Sequence, residues 1–150
     1  MKKFIWPLQR LLDIKEKQED FARIELVTIT EQIVIIRGQI MMQKTILHSV
    51  FSELNQLEPQ QRPQQQRECM EYAHVIDTKI ETLGQALEQT EQKRKKKIEE
   101  VVKLRKFRKG LERLRAKALV DYHEQINREE QKQLDENITT TFARKILMPA

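Results

Sequence analysis

The sequence predicts an all-α fold: two long helices in an antiparallel coiled-coil hairpin, with the second helix longer and overhanging the first. Three observations carry that prediction. The 150 residues include only three Gly and four Pro, whereas an all-β or doubly wound α/β chain needs turn residues at intervals of about ten. Charged side chains make up 34 % and aromatic ones 5 %, which leaves little for a deep globular core. Apolar residues also recur with a seven-residue period, the mark of a left-handed supercoiled seam.

Helix 1 shows the period most clearly. Alternate steps of four and three from Leu8 give Leu8, Leu12, Lys15, Glu19, Ala22, Leu26, Ile29, Ile33, Ile36, Ile40, Gln43, Leu47, Val50, Leu54 and Leu57, of which twelve are apolar. The composition alone would place about six apolar residues there. The helix is expected over about 7–58, with Pro7 in the first turn, where its missing N–H costs nothing, and Pro59 past the end.

A bend is expected at about 59–65, inside a Gln-rich stretch in which Pro63 would break a passing helix. Helix 2 follows over about 66–146. Its period resumes with Cys69, Ala73, Ile76, Ile80, Leu83 and Leu87, fails at Thr90, Arg94 and Lys97, and returns with Val101, Leu104, Leu111, Ala118 and Tyr122. Residues 1–150 thus form one coiled-coil domain, whose helices of roughly 75 and 120 Å cannot match end to end.

Folding at the bend sets level those residues whose numbers add to about 124. Charge supports the register. Residues 13–31 carry a net −3 and face residues 93–111, which carry +8, and the polar seam residue Glu19 falls level with Arg105. Exposed pairs contribute at most about 1 kcal/mol each, so they select orientation rather than stability. In this register Ile29, Ile33 and Ile36 lie opposite residues 88–95, where helix 2 has lost its apolar positions. About thirty residues of helix 2, from Lys117 to Ile146, project past helix 1 except where the first seven residues cover them. A lone helix is marginal in water and frays until something binds it.

Other classes fall away. The richest apolar stretch, Leu26 to Ile36, contains Thr28, Thr30, Glu31 and Gln32 and is too short for a membrane span of about 18 residues. Gln9 and Arg10 end the apolar run at Phe4 to Leu8 too early for a secretion signal. A single Cys69 forms no internal disulfide, which fits the cytoplasm. His48, His74 and Cys69 come near one level but lack further ligands, and a solvated role outweighs a metal site. No phosphate loop or nucleophile elbow is present, and Ser49 and Ser52 lack a base. A two-helix hairpin also offers no water-excluded pocket, so the chain is expected to be no enzyme and to use no cofactor and no small-molecule substrate.

Two features point to partners. The run Lys93, Arg94, Lys95, Lys96 and Lys97 opens a stretch to Lys117 with thirteen bases and three acids. A solvated face opposite the acidic half of helix 1 explains about half of it, and an acidic protein, a nucleic acid or an anionic membrane could meet the rest. Only Phe107 stands near for base stacking, which disfavours nucleic acid. The Ile-rich midsection from Val27 to Met42 reads as a protein-docking stripe, unless dimerisation or a tighter local register buries it.

The chain ends add a resemblance. Phe4, Leu8, Gln9, Leu11, Leu12, Asp13 and Ile14, followed by Glu19 and Ala22, resemble the opening of the flagellar export protein FliJ family. Leu111 to Phe142, with Tyr122 and the run Glu129-Glu130-Gln131-Lys132-Gln133-Leu134-Asp135-Glu136, resembles its closing segment. The second match is the more specific, because that run is no heptad pattern. The resemblance implies a cytoplasmic, non-catalytic part of the flagellar type III secretion apparatus, peripheral at the inner membrane of the flagellar base. It further implies an antiparallel coiled coil similar to the stalk of rotary ATPases. The implied partners are the hexameric export ATPase, the cytoplasmic domain of the membrane export gate, and export substrates or their chaperones.

Carried onto this chain, the resemblance places Phe4, Leu8, Leu11, Leu12, Tyr122, Glu129, Glu130, Asp135, Glu136 and Phe142 at the ATPase ring. For the gate, the Ile-rich stripe of Ile29, Ile33, Ile36 and Ile40 is the candidate read from the residues. The basic run matches no family feature. Related injectisome stalk proteins share the coiled-coil form, and the alternatives from other classes are a nucleic-acid-binding or a purely structural dimerising coiled coil.

Overall fold

The computed structural model describes residues 2–56 and 62–147. The fold is all-α, with two helices and, among the described residues, no strand: α1 spans Gln9–Asn55 and α2 spans Arg62–Leu147. The second helix is the longer, 86 residues against 47. The chain divides into two compact units, one of residues 1–18 with 104–150 and the other of residues 19–103.

Local chemistry sets the start of α1. Pro7 lies in a turn in which the Gln9 N–H donates to the Trp6 carbonyl at 3.1 Å, and the Leu12 N–H then donates to the Leu8 carbonyl at 3.0 Å. The fixed φ of proline suits that second turn position. Of the bend expected at about 59–65, residues 59–61 lie outside the described residues, and residues 62–65 already belong to α2. Pro63, expected to break helix 2, instead sits one residue inside α2, where no intrahelical N–H is needed.

In the unit of residues 19–103 the two helices run antiparallel. Arg37 Nη2 donates to Glu91 Oε1 at 2.9 Å, and Lys97 Nζ donates to Glu25 Oε2. These pairs add to 128 and 122, close to the register the charges select. Ala22, Ile33, Ala73, Ile76 and Val101 are buried, and every one of them stands on the seven-residue series. The places where helix 2 loses its apolar period still belong to the seam. Thr90 is buried, and its hydroxyl donates to the Ala86 carbonyl at 2.7 Å, so no polar atom is left bare. The Lys97 side chain is only 20 % exposed, its stem lying along the seam while its ammonium reaches Glu25 and Glu100. Arg94 alone of the three is exposed.

The unit of residues 1–18 with 104–150 has its own core of Trp6, Leu12 and Leu111, with Phe4, Leu11 and Ala118 packed against it. Each large apolar side chain so buried contributes about 1.5–3 kcal/mol. Antiparallel pairing again shows in the contacts. Arg115 Nε donates to Gln9 Oε1 at 2.8 Å, the Lys15 ammonium lies 4.9 Å from the Phe107 ring centroid, and the Phe4 and Tyr122 centroids are 5.3 Å apart. Arg115 is thus tied at its guanidinium and also lies 5.7 Å from the Phe4 ring centroid. From Asn127 to Leu147 every residue of α2 is exposed. The helix nonetheless continues to Leu147, and Arg144 and Lys145 in its last turn oppose the negative end of its dipole.

Candidate protein-docking site

The N-terminal segment ahead of α1 builds one half of the candidate site. Trp6 is buried because Pro7 turns the chain directly behind it, and residues 2–5 then continue along α2. The Tyr122 hydroxyl donates to the Lys2 carbonyl, and the Phe4 ring meets the Tyr122 ring at 51°, a tilted arrangement favoured by ring quadrupoles. Four of the ring-end candidates, Phe4, Leu11, Leu12 and Tyr122, therefore come together in one packed cluster. Leu12 is its core, only 4 % exposed, while Leu8 at the edge is 40 % exposed.

The remaining ring-end candidates, Glu129, Glu130, Asp135, Glu136 and Phe142, stand apart from that cluster on the bare stretch of α2. Asp135 lines a shallow hollow with Asn127, Arg128, Gln131 and Lys132. A second hollow is lined by Leu134, Asn137, Ile138, Thr141, Phe142 and Lys145. Both are surfaces of one helix, open to solvent, and suit docking against another protein. The Thr140 and Thr141 hydroxyls donate back to the Glu136 and Asn137 carbonyls, which turns their polar atoms away from any partner.

The gate candidates face inward. Ile33 is buried, and Ile29, Ile36 and Ile40 are half-buried against the seam. The same segment carries a second apolar face that is exposed: Ile24, Val27, Val34, Ile35, Met41 and Met42. The seven-residue series selects only the inward face, while Val27, Val34, Ile35, Met41 and Met42 of this outer face belong to the midsection that the sequence reads as a docking stripe. Arg94 and Lys95 of the basic run line a hollow with Thr30, Ile33, Val34, Arg37, Glu91 and Ile98, Lys97 is held by two carboxylates, and Lys93 and Lys96 are exposed. The two carboxylates hold the Lys97 ammonium protonated above its ordinary range, first through the Glu25 hydrogen bond and then through Glu100.

Trp6 is the residue that sequence reasoning missed, since Phe4 to Leu8 read as a truncated signal segment. The signal that could have found it is its place just ahead of Pro7. Among the described residues no group of three or more His, Cys, Asp or Glu could hold a metal ion, and no helix is long and apolar enough to cross a membrane.

No curated protein and no solved structure matches the chain. The model of the family described as flagellar FliJ protein does match, over residues 3–146, which takes in both chain ends and the middle that sequence reading could not place. The chain belongs to the flagellar FliJ protein family and is a component of the flagellar export apparatus.

Proposed function

We propose that this chain is a non-catalytic coupling element between the export ATPase ring and the membrane export gate, acting in the cytoplasm and held peripherally at the flagellar base. The observation that carries the proposal is the fully exposed stretch of α2 beyond the cluster of Trp6, Leu12 and Leu111. A helix maintained without internal packing has surface to give to a partner. Its acidic first half, a net −2 over residues 127–136, and its apolar second half would engage the ring. The exposed face of Val27, Val34, Ile35, Met41 and Met42 offers adaptable apolar contacts to the gate. Escort of export substrates or their chaperones is a second duty of the same surfaces.

The test is to mix the purified chain with the export ATPase and follow hexamer assembly and hydrolysis. The intact chain should promote assembly and raise the rate. A chain cut after Asn127 should do neither while melting cooperatively, because Lys2, Phe4 and Tyr122 are retained. Equal activity of the two chains would overturn the proposal.

A further inference from the structure

The bare stretch of α2 is complementary to itself. Leu134, Ile138, Phe142 and Ile146 recur at four-residue steps and are 62–65 % exposed. At about 100° per residue they cover roughly 120° of the helix surface. The series is symmetric about the midpoint between Ile138 and Phe142. Laying a second copy antiparallel across that midpoint sets Leu134 level with the partner's Ile146, and Ile138 level with the partner's Phe142. Charge follows the same symmetry. Asp135 and Lys145 both fall within the apolar arc, and the operation that pairs the apolar residues sets Asp135 level with the partner's Lys145, twice over.

From this we infer that two copies of the chain associate through residues 134–146 in a two-fold antiparallel helix contact. A two-fold interface requires one surface patch to complement itself, and here both the apolar pattern and the charges do. Four-residue ridges on both helices interdigitate at a crossing angle near −50°, so the contact does not extend beyond residues 134–146. The hollow beside Ile138 and Phe142 receives the partner's ring. Contact limited to about four apolar residues from each copy lies below the roughly 1,200 Å² of a stable complex, so the dimer is transient. It covers the stripe offered to the ATPase ring, and self-association and ring entry therefore exclude one another. The inference itself does not depend on the ATPase reading.

Sedimentation equilibrium of the full chain under reducing conditions, over a wide concentration range, tests it without any other protein. A monomer–dimer equilibrium in the micromolar range or weaker is expected. Asp135→Lys alone and Lys145→Asp alone should each weaken the dimer about tenfold, since each sets two pairs of like charges face to face. The double variant should restore the parent constant. All these positions are exposed, so folding is unaffected. A chain that remains monomeric, or charge-reversed single variants that dimerise like the parent, would overturn the inference. So would a dimer that survives Phe142→Ala with Ile138→Ala, because the contact would then lie on another face, such as that of Val34 and Met41.

Discussion

Two stretches of α2 in the same compact unit are equally helical and energetically unlike. Over residues 104–126 the helix presents Leu111 and Ala118 to α1 and to the segment of Phe4 and Trp6, with its steps alternating between three and four. Over residues 127–147 it keeps the same backbone but shifts to steps of four, and every side chain is exposed. A three-four alternation keeps apolar residues on the seam of a parallel or antiparallel neighbour, whereas a run of fours winds away from it. The first pattern serves folding and the second serves a contact that crosses the helix.

The largest effect should come from emptying the packed stretch. Trp6→Ala removes the broadest side chain of the small core, and Leu111→Ala leaves a cavity beside Leu12. Each should cost about 3 kcal/mol, at the low end for buried large residues because a two-helix core relaxes readily. Phe142→Ala removes as large an apolar group from the bare stretch and should change stability by less than about 0.5 kcal/mol. Urea denaturation followed by circular dichroism gives all three numbers. Comparable losses at Phe142 and Leu111 would remove the distinction between the two stretches.

A smaller effect sharpens the same contrast through backbone propensity. A Cβ added at Gly110 meets nothing within 4 Å, so Gly110→Ala should stabilise the packed stretch by about 0.5–1 kcal/mol. Thr140→Ala also improves helix propensity, but in a segment with no tertiary contact. It should raise the helical signal at low temperature and leave the unfolding midpoint in place. A shift in that midpoint would mean that residues 127–147 melt with the core.

Much of this was legible before any coordinates. The seven-residue series names Leu12, Ala22, Ile33, Ala73, Ile76, Val101 and Leu111, all of them buried, because periodicity reports directly which side chains share one helix face. The opposing charges give the register, since Glu25 with Lys97 and Gln9 with Arg115 meet close to it. The reading fails where polarity stands in for position. Thr90 and Lys97 look like breaks in the seam, yet a hydroxyl that bonds its own helix and a long aliphatic stem both fit there. In the same way, the apolar gap read opposite Ile29, Ile33 and Ile36 is closed by such residues, since Ile33 is buried and Ile29 and Ile36 are half-buried. The ring-end acids rest on resemblance alone, because exposed side chains leave no mark on the period of the seam.

Lys97 provides the smallest test, of whether a charged residue can hold a seam position at all. Its ammonium donates to Glu25 and Glu100, and both bonds raise its pKa above the ordinary 10.5. A pKa higher in the folded chain than in the unfolded one means that folding favours the protonated form. That contribution is complete below the unfolded value and is lost as pH rises through the folded value. Lys97→Met keeps the stem and removes the charge. Parent and variant should therefore show a constant difference in thermal midpoint between about pH 7 and pH 10, narrowing above that as the parent ammonium deprotonates. A difference that persists unchanged to about pH 12 would show that the stem alone holds the position, and that the seam tolerates Lys97 for its length rather than its charge.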